Sequence, residues 1–178
     1  SKRSGDFVTL SEILEKVGKD VIRFMMLTRR NDQTIEFDFK KVQNQSKDNP
    51  VFYVHYAYAR CQSIIRMSGI KEEQINVQNI YLLKNKEDIS LIKLIAQWPR
   101  IVENSAKYME PHRICFYLID LASVFHRLWN KGKIDDDFKF INNNDLELTH
   151  SKLALIKSIS MTIKSAFKIL SIEPMEKM

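Results

Sequence analysis

Leu153, Ile156, Ile159, Ile163, Phe167 and Leu170 recur at intervals of three and four residues. That spacing lays all six along one face of an α-helix, and a face so uniformly apolar must be covered by other helices. The same periodicity governs Ile114, Leu118, Leu121, Phe125 and Leu128, in a segment opened by Pro111 and closed at Lys131-Gly132-Lys133. It returns in Val54, Tyr58, Cys61 and Ile65. There Asn49-Pro50 supplies a capping side chain followed by proline at the first helical position, and Gly69 supplies the stop after Ser68. The chain has only 4 glycines and 4 prolines in 178 residues, too few for the many tight turns of a sheet protein. The expected fold is all-α.

The remaining segments fill in a bundle. Thr9 and Glu12 have capping-box spacing, with Leu10, Ile13, Leu14 and Val17 as the apolar stripe and Gly18 as the stop. Asp20 is read as the cap of a second helix, with Val21, Phe24, Met25 and Leu27 inward and Arg23, Arg29 and Arg30 outward. Ile35, Phe37 and Phe39 alternate with acids, as in a short extended stretch or a helix entry at Asp38. The polar run 44–48 reads as a hinge. Residues 70–85 are expected to be a loop with one helical turn. Ile89, Ile92, Ile95 and Ala96 mark a helix that either ends at Trp98 or kinks at Pro99. Ile101, Val102, Ser105, Ala106 and Met109 mark the next. The acidic, Asn-rich stretch 135–145 reads as a mobile loop, Thr149 as the cap of the last helix, and the tail 172–178 as able to fold back. No internal repeat is visible. The architecture implied is a bundle of four or five helices from Asn49 onward, preceded by a small helical segment, residues 1–48, that packs on it or on something else.

Several function classes drop out. No apolar run approaches the roughly 18 residues of a membrane span, and no apolar block follows the N-terminus as in a secretory signal. Cys61 and Cys115 cannot build a disulfide framework or a metal knuckle, and read as small buried residues in a reducing cytosol. There is no Gly-rich phosphate loop, His-Glu-x-x-His, Cys-x-x-Cys or Gly-x-Ser-x-Gly. His55, His112, His126 and His150 are scattered, and a lone histidine of this kind is more often structural than catalytic. Lys and Arg exceed Asp and Glu by 28 to 22, a net charge of +6, which permits a polyanionic partner without demanding one.

Two features point to RNA. Tyr53, Tyr56 and Arg60 lie three and four apart on one face of the helix after Pro50. Aromatic rings stack on unpaired bases and a guanidinium bridges phosphates or base edges. Tyrosines at the rim of a helical core, and an Arg60 salt bridge within the bundle, are the competing readings. The second feature is Ser1-Lys2-Arg3-Ser4-Gly5, which suits a nucleotide phosphate and equally suits a solvated terminus.

The order of these strings resembles the C-terminal part of the class I arginyl-tRNA synthetase family. Residues 1–5 are similar to the end of the family's Lys-Met-Ser-Lys-Ser-type (KMSKS) loop, so the sequence is read as beginning inside that signature. Val17-Gly-Lys-Asp20-Val-Ile-Arg23-Phe24 resembles Gly-x-Asp-Ala-x-Arg-Phe, and Ile35-Glu-Phe37-Asp38 resembles Leu-Asp-Phe-Asp. The most specific string is Asp48-Asn-Pro-Val-Phe-Tyr-Val-His-Tyr-Ala-Tyr-Ala-Arg60, against Asp-Asn-Pro-x-Tyr-Tyr-Val-Gln-Tyr-Ala-His-Ala-Arg. Leu121-Ala122, Phe125-His126 and the stretch Ile172 to Met178 also fit.

The resemblance covers the whole chain and implies two parts. Residues 1–48 would be the end of the KMSKS-type loop and the connecting helices. Residues 49–178 would be the all-helical DALR anticodon-binding bundle. It implies that the parent enzyme is an arginine–tRNA ligase, cytoplasmic and monomeric, attaching arginine to tRNA(Arg) with ATP and Mg2+. This fragment would hold no cofactor, metal or complete catalytic site and would be inactive alone. Ser1, Lys2 and Arg3 would be the remnant of the ATP-phosphate loop. Tyr56, Arg60, Phe125, His126, Trp129 and Met178 would bind the anticodon of tRNA(Arg), with Phe125 as a flat wall for a base. Arg66, Lys107, Arg113 and Lys164 could track phosphates. Lys133 stands where many members have Arg, and Ser171 replaces a glycine that would take a left-handed helix cap. The alternatives are the anticodon-binding domain of a cysteinyl or methionyl enzyme, or a helical protein-interaction module that never touches RNA.

Overall fold

The computed structural model describes residues 9–30 and 49–178. The expectations for residues 1–8 and for 31–48, including the extended stretch and the hinge, lie outside the described residues, as does the side chain of Leu10. Among the described residues every regular element is helical. The α-helices are α1 (Leu10–Val17), α2 (Lys19–Leu27), α3 (Pro50–Ser68), α4 (Lys86–Ala96), α5 (Trp98–Lys107), α6 (His112–Lys131) and α7 (Leu146–Leu170).

The helix ends follow local chemistry. Thr9 and Glu12 form the expected capping box on α1. Gly18 both ends α1 and caps α2, at φ 87°, a backbone conformation that glycine adopts without a Cβ clash. Asp20 therefore does not cap α2. It sits in the first turn, and its Oδ2 accepts the Glu173 amide at 3.3 Å. Asn49 caps α3 by accepting from the Val51 amide, and Gly69 ends it in the left-handed region. The cap of α7 is Asp145, whose Oδ1 accepts from the Leu148 amide at 2.9 Å. Thr149 lies inside the helix and is buried, exchanging hydrogen bonds with both backbone groups of Asn142. Ser171, the residue after α7, adopts φ 54° and ψ 45°, so serine takes the left-handed conformation directly.

The core forms where the stripes of α3, α6 and α7 meet. Val54, Cys61, Leu118, Leu121, Phe125, Ile156, Ile159, Ile163 and Phe167 are fully buried there. α3 packs on α6 and α7, while α4 and α5 cover the outer side of α6. α2 packs on α3 and adds Val21 and Phe24 to the same core, so this helix of the N-terminal segment rests on the bundle.

Other details differ from the sequence reading. Residues 70–85 hold two short 3-10 turns, Glu72–Gln74 and Ile80–Leu82. Ile89 and Ala96 of α4 are exposed, and the inward positions are Asp88 and Leu91. The chain breaks between α4 and α5 at Gln97, with Pro99 inside the first turn of α5, where its missing amide costs nothing. Ala106 is exposed, and Met109 lies beyond α5 with φ 54°. The 135–145 stretch is pinned by Phe140, buried against Phe125 and Trp129.

Candidate nucleic-acid interface

The periodicity of α3 places Tyr53, Tyr56, Arg60 and Ser63 along its half-buried edge, between the core stripe and solvent. α6 runs beside this edge and brings His126 and Trp129 to it. The His126 ring carries its proton on Nε2, which donates to the Tyr53 carbonyl at 3.1 Å, because that carbonyl can only accept. Nδ1 is then a lone pair, and it accepts from Arg60 Nη1 at 2.9 Å. Burial lowers the pKa of His126, and the Arg60 charge lowers it further against the opposing Tyr53 hydrogen bond. A neutral imidazole thus holds the guanidinium.

The guanidinium lies between two aromatic rings, 5.9 Å from the Tyr56 centroid and 5.6 Å from that of Trp129. Lys133 Nζ is a second cation over Trp129, at 5.6 Å. One Arg60 nitrogen is committed to His126. Arg60 also lines a cleft of about 360 Å³. Tyr56, Arg60, Ser63 and Arg66 line one side of that cleft, and Glu176, Lys177 and Met178 of the tail line the other.

Four side chains of α2 and α3 strap the tail in place. Arg23 Nη1 donates to the Ser171 carbonyl at 3.0 Å, and Asp20 accepts the Glu173 amide. His55 Nδ1 accepts the Met175 amide at 3.3 Å, and Arg66 Nη2 donates to the Glu176 carbonyl at 3.5 Å. Ile172, buried in the core, anchors the start of this path. A second cleft, of about 470 Å³, opens on the far side of the tail between α1, α2 and α3, and shares Tyr56, Lys177 and Met178 with the first.

Of the residues expected from the sequence, Tyr56, Arg60, His126, Trp129 and Met178 come together. Phe125 does not present a face to a ligand. It is fully buried behind His126 and against Phe140, so the flat surfaces at this place are Tyr56 and Trp129. Ser1, Lys2 and Arg3 lie outside the described residues. Arg66 lines the cleft, whereas Lys107 and Arg113 gather on the exposed Tyr108 ring between α5 and α6, and Lys164 is exposed on α7. Ser63, Lys133, Glu176 and Lys177 were not assigned to the site from sequence. Ser63 continues the three-residue spacing from Arg60 on α3, which is a legible signal, whereas Lys133 lies in the turn after α6. Nothing local in the sequence marks the tail residues.

The described residues form an all-helical bundle with an aromatic and cationic cleft at the edge of α3. The sequence profile described as the DALR anticodon binding domain matches residues 54–178. The chain belongs to that family. Over its whole length it is 51% identical to the arginine–tRNA ligase of Ehrlichia chaffeensis and 46% identical to that of Rickettsia canadensis. It spans about a third of each relative, 31% and 32%. Its fold superposes at a TM-score of 0.85 on a Campylobacter jejuni protein provisionally named an arginyl-tRNA synthetase, with 26% identity, covering 100% of this chain and 37% of that one. Among the described residues no group of three or more His, Cys, Asp or Glu could hold a metal ion, and no helix is long and apolar enough to cross a membrane.

Proposed function

We propose that this chain is the anticodon-reading part of an arginine–tRNA ligase and that its partner is the anticodon stem-loop of tRNA(Arg). Residues 49–178 are the reading unit and residues 1–48 connect it to the rest of the enzyme. The observation that carries the reading is the Arg60 guanidinium, held by His126 between Tyr56 and Trp129 at the edge of an open cleft. Such a group stacks on or hydrogen-bonds an unpaired base, and Lys133, Arg66 and Lys177 supply charge for the adjoining phosphates. Met178 closes the cleft from the tail.

The activity of the whole enzyme, on this reading, is cytoplasmic, ATP-dependent attachment of arginine to tRNA(Arg) by a monomer. ATP with Mg2+ and arginine are bound elsewhere in that enzyme, with Ser1, Lys2 and Arg3 contributing the end of a phosphate-holding loop. The chain alone catalyses no arginine-dependent ATP–pyrophosphate exchange. The test is a titration with the tRNA(Arg) anticodon stem-loop and with a control carrying a changed middle anticodon base. Tighter binding of the first supports the reading. Equal binding of both, or steeply salt-sensitive binding without preference, overturns it.

A further inference from the structure

We propose that His55 is a positioning residue, whose Nδ1 pins the Met175 amide and so holds the C-terminal tail as one wall of the RNA cleft. The proposal rests on the anticodon-reading function above and adds to it a residue that never touches the RNA.

The geometry is specific. His55 belongs to the buried side of α3, one residue before Tyr56, and is 1% exposed. Its ring packs on Phe167 of α7 at 4.8 Å and on Phe52 of its own helix at 6.3 Å, so the plane of the imidazole is fixed by the core. Nδ1 accepts the Met175 amide at 3.3 Å and therefore carries no proton. Three residues further on is Met178, which lines the cleft beside Tyr56 and Arg60. The other straps, from Arg23 and Asp20, act nearer the start of the tail. Among the described residues, the other hydrogen bond to the cleft-lining end is the 3.5 Å contact of Arg66 with the Glu176 carbonyl.

The strap is also sensitive to protonation. A protonated Nδ1 is a donor facing a donor and repels the Met175 amide. Among the groups facing His55, α7 offers the Phe167 ring and α2 offers the Asp20 carboxylate, which favours the charged imidazole. The tail offers the Met175 amide, flanked in sequence by Glu173, Glu176 and Lys177. Burial outweighs the Asp20 charge and takes the imidazole down to about 4, so the strap is closed at neutral pH.

The test uses the full chain and the tRNA(Arg) anticodon stem-loop, together with the ¹³C-methyl signals of Met175 and Met178. Met175→Pro removes the donor from the tail side without disturbing the core. His55→Leu removes the acceptor. His55→Asn places an oxygen where Nδ1 stands. Met175→Pro is expected to move the Met178 methyl signal, and His55→Leu both methyl signals, to unstructured positions, and each to weaken stem-loop binding about tenfold, without adding in the double variant. His55→Asn is expected to keep wild-type signals and bind within about twofold of wild type. In the wild type the signals should become unstructured as the pH falls toward 4, and in His55→Asn they should not. If Met175→Pro leaves the Met178 signal or the affinity unchanged while wild type still discriminates the anticodon control, the strap is refuted and the anticodon-reading function stands. If wild type itself shows no discrimination, both fall. The Met175→Pro arm keeps the test decisive even where His55→Leu does not fold.

Discussion

Asp88 of α4 and Lys152 of α7 form an ion pair with both side chains only 1% exposed, the ammonium lying 2.7 and 2.9 Å from the two carboxylate oxygens. The pair crosses the bundle between elements far apart in sequence. Removing one partner strands the other charge in the interior, which costs far more than the pair contributes as a pair. Lys152→Met is expected to lower unfolding free energy by about 3–5 kcal/mol, and the double variant Asp88→Leu/Lys152→Met to recover most of it. Urea unfolding of the wild type and these two variants checks this; a double variant as weak as the single would show that the pair itself holds α4 to α7.

Arg60 is held by geometry as well as by charge, between two rings and against an imidazole. Arg60→Ala is expected to weaken stem-loop binding by about 1–3 kcal/mol. Arg60→Lys should restore little, because an ammonium keeps the charge but not the planar fork that stacks on Tyr56 and Trp129. Affinity measured on folded variants decides it. Full rescue by lysine would reduce the role of Arg60 to bulk charge.

Phe125 and Trp129 lie one helical turn apart on α6 yet should fail differently. Phe125→Ala opens a cavity in the core and is expected to cost about 3–5 kcal/mol of stability. Trp129→Ala removes a partly exposed ring beside Arg60 and should chiefly lower RNA affinity. Thermal melts and titrations on the same two proteins separate the effects.

The fold should weaken in acid before its carboxylates titrate. His55 titrates near 6.5 when unfolded and near 4 in the fold, and burial shifts His126 in the same direction. Between those values the unfolded chain binds protons that the folded chain refuses, so stability is full above about 6.5 and falls as the pH drops toward 4. For His55 the whole difference corresponds to about 3 kcal/mol. Urea midpoints measured from neutral pH downward should follow that slope, and His55→Asn should flatten it.

Ser171 holds φ 54° at the end of α7, where a side chain is strained. Ser171→Gly is expected to stabilise the chain by about 1 kcal/mol, the left-handed penalty less the entropy that glycine adds to the unfolded state. A rise in the melting temperature checks it.

The apolar stripes of α3, α6 and α7 were readable because a 3.6-residue period is written locally. The Thr9, Asn49, Gly18 and Gly69 boundaries were readable for the same reason. Where two chemically similar caps competed, locality failed. Asp145 outranked Thr149 because Thr149 is drawn inward to Asn142, a bond made only once the preceding loop has folded back. Lys152 stands between the polar Thr149-His150-Ser151 and the apolar run Leu153 to Ile156, and its partner is 64 residues away, so no window of sequence shows the pair. At the candidate site Tyr56 and Arg60 share one helix and were legible. The apolar stripe of α6 already placed Phe125 in the core, where it lies, and the wall for a base that the resemblance implied for it is what the structure contradicts. The pairing of His55 with Met175 spans 120 residues and belongs to tertiary structure alone.

Arg60 is steadied by a neutral ring and two π-faces, and among the described residues no carboxylate pairs with it. Orientation and electrostatic reach are therefore set by different groups. An anion approaching from solution meets a guanidinium bonded to no carboxylate, with Arg66 and Lys177 beside it and Glu176 as the acidic residue of the cleft lining, and it feels that charge over roughly the 10 Å Debye length of 0.1 M salt. The cluster can thus hasten encounter as well as strengthen the final contact, and its contribution to the association rate should fade with ionic strength before its contribution to stacking does.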